Sequence, residues 1–518
     1  MDFPSSSNGR PPSVRPEARR WLLPALVFAA FALLLALNMG ACAGGPDSAG
    51  YLLNARLLSR GEVRGAIRAL PEPPPDSLPA YTYVPLGFNP AGDGRTMLPV
   101  YPMGLPLLVA GAAGLVGWSW APGVVLGLHA LAGLGLVLAL ARAAGLEAPW
   151  SLGPVLLLAA SPLYLFLSVQ ALSDVPALVW TTAAVLAAWQ SRARPALALA
   201  SGLALSLAVL VRPTNLLAFL PVGLALGLGA RRWLALLLGG LPGAAFWALV
   251  NRAAYGHVLA TGYGYMADHF GLAYLPVTLL HFLTWLPVLL TPLVLLAAGL
   301  PWVRRCPPRL PAVLATWALA YLGIYAVYVH THETWWYLRF VLPAFPPLAV
   351  AAVLVARELA ARFARPRPGW WLAAAAAGIV ACGGLGTRHL HANRGGRYER
   401  VYPALAAWLQ QHLPANAVVA AMQASGALDY YGPFVVFRWD VLQPEDFRRL
   451  GAACDAAGRP VYAVLFEFER EGDHRARFDH SLGTGWTPIG AVDQAAIWRR
   501  EPAAAAGPDP VPRINRNP

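Results

Sequence analysis

Long apolar runs recur through most of this chain, from Trp21 to Gly386. Each run has about 17 to 22 residues, which is long enough for a helix to cross a hydrocarbon core of roughly 30 Å. The chain has 518 residues, of which 57% are hydrophobic and only 13% are charged. That composition is too apolar for an ordinary soluble protein, so we predict a polytopic, all-α integral membrane protein.

Arginine clusters between the apolar runs indicate the topology. Short basic loops stay in the cytoplasm, so an even number of spans should separate neighbouring clusters. Between Arg20 and Arg142, however, three apolar stretches occur, at 21–41, 102–118 and 122–141. The stretch 102–118 is short and rich in Gly and Pro, and aromatic residues flank it, so we predict a juxtamembrane or re-entrant helix there.

This topology leaves about eleven membrane spans, with a cytoplasmic N-terminus and an extracytoplasmic C-terminal part in a bacterial-type inner membrane. After about residue 391, short apolar runs alternate with charged residues, which predicts a small extracytoplasmic α/β domain. We expect four regions: a cytoplasmic tail (1–20), a transmembrane domain (21–388) with its first outer loop and juxtamembrane helices (42–121), the α/β domain (389–500) and a disordered tail (501–518).

The net charge of +13 does not indicate a nucleic-acid partner, because the arginines lie in short clusters between apolar runs. The lipid bilayer is the partner that the composition predicts. The four cysteines are scattered without the spacing of a metal or redox site, and no cofactor is indicated.

A short polar stretch, residues 44–51, follows the first apolar run. Pro46 suits the first turn of a helix, and Asp47 beside it is favoured by the helix dipole. We predict an amphipathic interfacial helix that ends near Gly61, with Asp47 and Tyr51 on its polar face. Asp47 is then either a helix cap or a functional carboxylate on the outer side.

Other charged residues also come out on the outer side of the predicted topology. Asp174 begins a span, where it can be a cap, a site residue or both. Arg212 precedes a proline at the tip of a helical hairpin, and Arg339 lies near the start of another span. Both arginines break the basic-inside pattern, and a phosphate partner would explain that exception.

The outer loop 330–339 carries two histidines, Glu333, three aromatic residues and Arg339. A metal site there lacks a complete ligand set, and the aromatic residues alone are typical of an interfacial belt. We therefore predict no metal ligands, and any dependence on a divalent metal stays open.

Together these motifs resemble the GT-C fold glycosyltransferases, in particular the protein O-mannosyltransferases and lipid A aminoarabinose transferases. The resemblance covers roughly residues 20 to 385 and rests on a short set of motifs: Pro46-Asp47-Ser48 with Tyr51, Tyr101-Pro102-Met103-Gly104, Ser173-Asp174, Arg212-Pro213-Thr214 and Trp336-Tyr337-Leu338-Arg339. One departure is Ser48, which stands where many relatives carry a second acid.

The resemblance implies an inverting enzyme that moves a sugar from a polyprenyl-phosphate donor to an envelope acceptor, which is a glycolipid, polysaccharide or protein. It implies Asp47 and Asp174 as catalytic residues and Arg212 and Arg339 as ligands of the donor phosphate. Substrate contacts are expected from a further set: Tyr51, Tyr101, His332, Glu333 and Trp336. The alternatives are a lipid or solute transporter or flippase and a non-catalytic assembly protein of the envelope.

Overall fold

A computed structural model describes residues 16–363 and 369–501. Residues 1–15 of the predicted cytoplasmic tail and residues 502–518 of the predicted disordered tail lie outside the described residues.

The described chain contains long helices in its first three quarters and most of its strands near the C-terminus. The helices are α1 Pro16–Asn38, α2 Pro46–Ser59, α3 Gly104–Val116, α4 Ala121–Ala143, α5 Leu152–Ala159, α6 Pro162–Ser168, α7 Asp174–Gln190, α8 Leu197–Val211, α9 Phe219–Leu226, α10 Ala230–Tyr255, α11 Leu275–Leu289, α12 Leu310–Ala326, α13 Phe345–Phe363, α14 Gly369–His389, α15 Gly395–His412, α16 Ser425–Tyr431, α17 Pro444–Ala456 and α18 Gly472–Leu482. The strands are β1 Gly65–Ala66, β2 Phe88–Pro90, β3 Thr96–Pro99, β4 Val418–Ala421, β5 Val435–Phe437, β6 Val461–Phe466, β7 Trp486–Val492 and β8 Ala495–Arg500. The longest 3-10 segments are Pro292–Trp302, Trp335–Ala344 and Pro213–Ala218.

The chain forms two compact units, each built from two separate segments. The first unit comprises residues 1–42 and 102–398, and the second comprises residues 43–101 and 399–518. The predicted first outer loop therefore belongs to the same unit as the C-terminal segment.

The first unit is helical and contains the larger apolar core, which α4, α5, α7, α12 and α13 line with buried aliphatic and aromatic side chains. Five helical stretches of the described chain are long and apolar enough to cross a membrane: 121–143, 230–255, 272–289, 335–362 and 370–389. Shorter apolar helices accompany them, including α3, the helix predicted not to cross. The membrane character is confirmed, whereas the total of about eleven spans stays a prediction.

The second unit contains two sheets. The segment 43–101 forms a three-stranded antiparallel sheet in the order β1-β3-β2. The C-terminal segment forms a five-stranded sheet in the order β5-β4-β6-β8-β7, in which β4 pairs in parallel with β5 and β6, and β8 runs antiparallel to β6 and β7. The sequence also predicts strands at 417–421, 434–439, 461–468, 487–492 and 496–499 and helices at 398–412 and 444–457. These positions fall on the five strands and on α15 and α17, while α16, α18 and the small sheet were not predicted.

The helix predicted to start at Pro46 is α2, but its surroundings differ from the prediction. Tyr51, Leu52 and Asn54 are all buried, so α2 is enclosed on several sides and is not an exposed interfacial helix. The prediction of an amphipathic interfacial helix was wrong because polar residues of α2 face other protein groups inside the unit and not solvent.

Within the first unit, α8 and α10 cross at very short range through glycine. A Cβ atom added at Gly239 would lie 2.0 Å from the carbonyl oxygen of Leu199, whereas one at the neighbouring Gly240 would meet nothing nearer than 3.7 Å. Small residues at a crossing let two helix backbones approach closely in a membrane.

Gly239→Ala should therefore destabilise the protein, because the new methyl group forces α8 and α10 apart at a cost of about 1 to 3 kcal/mol. Gly240→Ala is the matched control and should leave the midpoint of thermal unfolding in detergent nearly unchanged. Equal midpoints for the two variants would contradict the tight crossing.

Candidate functional site

Three of the predicted site residues meet in one buried cluster of the first unit. Asp174 is the first residue of α7 and is fully buried. Its Oδ1 forms an ion pair with Arg212, 2.7 Å from Nη2, and accepts a hydrogen bond from Arg339 Nε at 3.1 Å. Arg212 Nε also donates to the Ser173 hydroxyl at 3.0 Å. We call these three charged residues the Asp174 triad.

The triad carries a net positive charge in a buried place. Two guanidinium groups share one carboxylate, which gives the three side chains a formal excess of one positive charge, while Arg212 and Arg339 are only 9% and 8% exposed. Taking charges out of water is expensive unless they are balanced, so this excess favours a bound anion. Asp174 Oδ2 is buried and accepts no hydrogen bond from the described residues, so a ligand hydroxyl can donate to it.

Proline and two tyrosines fix the backbone that carries Arg212. The residue before a proline is pushed out of helical geometry, and Arg212 accordingly ends α8 with φ −148° and ψ 119°. Just beyond it, Thr214 accepts a hydrogen bond from Tyr325 at 2.9 Å, and Asn215 accepts one from Tyr321 at 3.0 Å. Both tyrosines lie on α12, so α12 holds in place the break between α8 and the 3-10 segment at Arg212. Arg212 is therefore not the exposed arginine that a simple hairpin tip would give.

The predicted outer loop, residues 330–339, packs in an aromatic cluster of the first unit. Trp336 stacks on Tyr337 with ring centroids 4.0 Å apart, and His332 stacks on Tyr274 at 5.9 Å. Glu333 Oε1 lies 2.5 Å from His330 Nδ1, so this acid is engaged within the loop. Nowhere in 16–363 or 369–501 do three His, Cys, Asp or Glu side chains come together as a metal-binding group.

Asp47 lies in the second unit, in the first turn of α2, together with two other predicted residues. The Tyr101 hydroxyl donates to Asp47 Oδ1 at 2.6 Å, and the rings of Tyr101 and Tyr51 are 4.9 Å apart. Gly50 allows this approach, because a Cβ there would lie 2.7 Å from the Tyr101 ring. Asp47, Tyr51 and Tyr101 thus form a second cluster, which we call the Asp47 cluster.

Reasoning from the sequence missed Glu399 of α15. Its carboxylate accepts hydrogen bonds from the Ser48 hydroxyl and from the backbone N–H of Gly45, at 3.4 Å for the latter. A Cβ on Gly44 would lie only 2.0 Å from Glu399 Oε2. Ser48, which stands where many relatives carry a second acid, is therefore hydrogen-bonded to a carboxylate that is distant in the sequence. Nothing in the local sequence around Glu399 signals this role.

Burial raises the pKa of the Glu399 carboxyl to about 7, and the negative charge of Asp47 adds to the increase. The hydrogen bonds from Ser48 and Gly45 act in the opposite direction. Glu469, in the same unit, also has a pKa raised to about 7, mainly by burial.

A Glu399 pKa of about 7 in the folded state, against an ordinary value of 4.5 for a glutamate in water, makes stability depend on pH. Between these two values the folded chain binds more protons than the unfolded chain, so the free energy of unfolding falls as pH rises and then levels off above about 7. Glu399→Gln stays neutral and can still hydrogen-bond Ser48, so this variant should show a smaller fall.

The measurement is the midpoint of thermal unfolding at a series of pH values from below 4.5 to above 7. The control is Glu467→Gln, at an exposed glutamate. The unfolding midpoint of this variant should fall with rising pH as that of the parent does, because Glu469 and Glu399 remain in both proteins. A Glu399→Gln curve parallel to the parent would show that Glu399 does not titrate in this window.

Neither a protein-family model nor a curated protein sequence matches this chain. Solved structures do match. ArnT from Cupriavidus metallidurans bound to undecaprenyl phosphate is 15% identical with a TM-score of 0.56, over 93% of this chain and 99% of that one. The oligosaccharyltransferase of Archaeoglobus fulgidus, tethered to an acceptor peptide, is 13% identical with a TM-score of 0.54, over 91% and 73%.

Arabinofuranosyltransferase AftD from mycobacteria is 16% identical with a TM-score of 0.53, over 93% of this chain but only 40% of its own length. All three are GT-C glycosyltransferases, and the resemblance stated from the motifs is confirmed at the level of the fold. The chain is a membrane protein with the GT-C fold.

Proposed function

We propose that this chain is a membrane glycosyltransferase that moves a sugar from a polyprenyl-phosphate donor to an extracytoplasmic acceptor. The observation that carries the proposal is the Asp174 triad, a buried set of charges with a formal excess of one positive charge in a GT-C fold. The acceptor is a glycolipid, polysaccharide or protein of the envelope. The ArnT neighbour was solved with undecaprenyl phosphate, a ligand of the kind that the triad would take.

In the proposed reaction, Arg212 and Arg339 contact the phosphate of the donor. As the bond between the anomeric carbon and the phosphate oxygen breaks, negative charge grows on the departing polyprenyl phosphate, and guanidinium groups stabilise that charge. Arg suits this role because its planar fork binds two phosphate oxygens at once. Asp174 holds both arginines, and its second oxygen, Oδ2, orients a hydroxyl of the sugar or acceptor.

Asp47 acts as the general base in this proposal. An acceptor hydroxyl is a weak nucleophile until a base takes its proton, and the oxygen then bonds to the anomeric carbon. A single displacement inverts the configuration at that carbon. Tyr101 orients the carboxylate through the hydrogen bond to Oδ1. Tyr51, His332, Glu333 and Trp336 supply aromatic faces and polar groups for substrate binding.

The proposed orientation follows from the arginine pattern. It puts the N-terminus in the cytoplasm and the outer loop, with Arg339, on the extracytoplasmic face of an inner membrane. Lipid-linked donors and envelope acceptors are both available on that face.

Asp47→Asn should fold and insert normally but transfer sugar at least about a hundredfold more slowly, the lower end for losing a positioned base. Asn keeps the oxygen that accepts from Tyr101 and removes only the basicity. Mass spectrometry of envelope glycans and glycolipids from a deletion strain identifies the missing product, and complementation with each variant then measures its return. Asp47→Glu should restore it partly. Full restoration by Asn would remove Asp47 from the mechanism.

Arg212→Lys and Arg339→Lys should each weaken binding of undecaprenyl phosphate by about tenfold or more, because lysine keeps the charge that pairs with Asp174 but loses the bidentate geometry. Arg252→Lys, at an exposed arginine of α10, is the matched control. Titration of the purified protein with undecaprenyl phosphate gives the dissociation constants. If replacing both arginines by alanine leaves the affinity unchanged, the triad does not bind the donor.

A further inference from the structure

The first unit contains a second feature suited to a ligand, a cavity of about 770 Å³ among α1, α5 and α14. Its volume falls in the range of roughly 300 to 1,000 Å³ that is usual for small-molecule sites. None of the three residues of the Asp174 triad lines it. The cavity is therefore separate from the proposed donor site.

The walls of the cavity change character along their length. Val27, Phe31 and Leu34 of α1 and Val380 of α14 make the deeper part apolar. The rim is polar and basic, and it is formed by Asn38, Arg388, His391, Asn393 and Arg394. Among the described residues the lining includes no Asp or Glu, and neither arginine forms an ion pair. The rim therefore offers positive charge to a ligand.

The depth of the cavity matches one leaflet of a bilayer. From Val27 to Asn38, α1 rises about 16 Å at 1.5 Å per residue, and half of a hydrocarbon core of roughly 30 Å is about 15 Å. On α14, Val380 is 55% exposed, so the apolar part is open at the side. A lipid can thus enter laterally with its chains between the helices and its headgroup at the basic rim.

We propose that this cavity is a binding site for one anionic phospholipid of the surrounding leaflet. Its acyl chains lie against α1, α5 and α14, and its phosphodiester contacts Arg388 and Arg394. Phospholipids of the bilayer define the leaflet thickness, so their chains fit a cavity one leaflet deep, and the two arginines select an anionic headgroup over a zwitterionic one. Such a lipid fills the space between the first and last long helices of the first unit.

Two glycines on α14 provide a matched pair of variants. A Cβ at Gly384, which lines the cavity, would meet no atom within 4 Å, and the same is true of the exposed Gly378, which does not line it. Gly384→Leu therefore fills the cavity without forcing the helices apart. Gly378→Leu adds the same side chain to the same helix elsewhere.

The experiment is native mass spectrometry of the detergent-purified chain with added phosphatidylglycerol or phosphatidylcholine. The parent and Gly378→Leu should retain phosphatidylglycerol, while Gly384→Leu should retain at least about tenfold less, the effect of losing roughly 1.4 kcal/mol of binding. Arg388→Gln and Arg394→Gln should each reduce the preference for phosphatidylglycerol about fivefold, whereas Arg252→Gln should not.

Three results would overturn the proposal. One is equal retention of the two phospholipids by the parent, and another is equal retention of phosphatidylglycerol by the two leucine variants. The third is a loss of undecaprenyl phosphate binding in Gly384→Leu, which would assign the cavity to the carrier lipid.

Discussion

The packing of three elements in the first unit depends on the ion pairs between Asp174 and two arginines. They join the start of α7, the break after α8 and the 3-10 segment Trp335–Ala344, three elements that are far apart in sequence. Removing Asp174 would take away the carboxylate that both buried guanidinium groups share, and the loss of one partner from a buried ion pair is strongly destabilising. The geometry of both arginines is therefore fixed by one carboxylate.

The Asp47 cluster depends on close packing more than on charge. Gly44, Gly50 and Gly87 each lie where a Cβ would meet another group within 3.0 Å, and Gly87 also has a φ of +94°. At these positions side chains are excluded so that Glu399, Tyr101 and the backbone can approach the first turn of α2. A cluster built in this way positions a carboxylate rigidly, because its neighbours have no space to move.

The sequence was most informative where an arginine departed from the pattern that puts basic residues on the cytoplasmic side. In the predicted topology, Arg212 and Arg339 come out on the side of the membrane where basic residues are rare, and the structure places both in one buried cluster. The pattern could not show that they share Asp174, because Arg339 lies 165 positions from that acid and no local period connects them. Their shared partner emerged only from the packing of α7 against the outer loop.

Local patterns likewise predicted α2, α15, α17 and the five C-terminal strands, since alternation and helical periodicity are properties of short segments. The small sheet β1-β3-β2 was missed because its strands have only two to four residues. Glu399 was missed for a different reason. Its partner Ser48 is 351 positions away, so nothing near Glu399 distinguishes it from a solvent-facing acid on α15.

The two carboxylates that carry the proposed reaction differ in a way that matches their roles. Asp174 is fully buried and engaged by two cations, which suits the fixed counter-ion of the proposed phosphate site. Asp47 is only partly buried, and the hydrogen bond at its Oδ1 comes from a neutral phenol. A counter-ion must not exchange its partners during a reaction, whereas a base must be reached by a hydroxyl and accept its proton.

The excess positive charge of the triad likewise suits the proposed role of binding an anion. Because a buried net charge is costly, an anionic donor bound as proposed would both balance the charge of the triad and stabilise the fold around it.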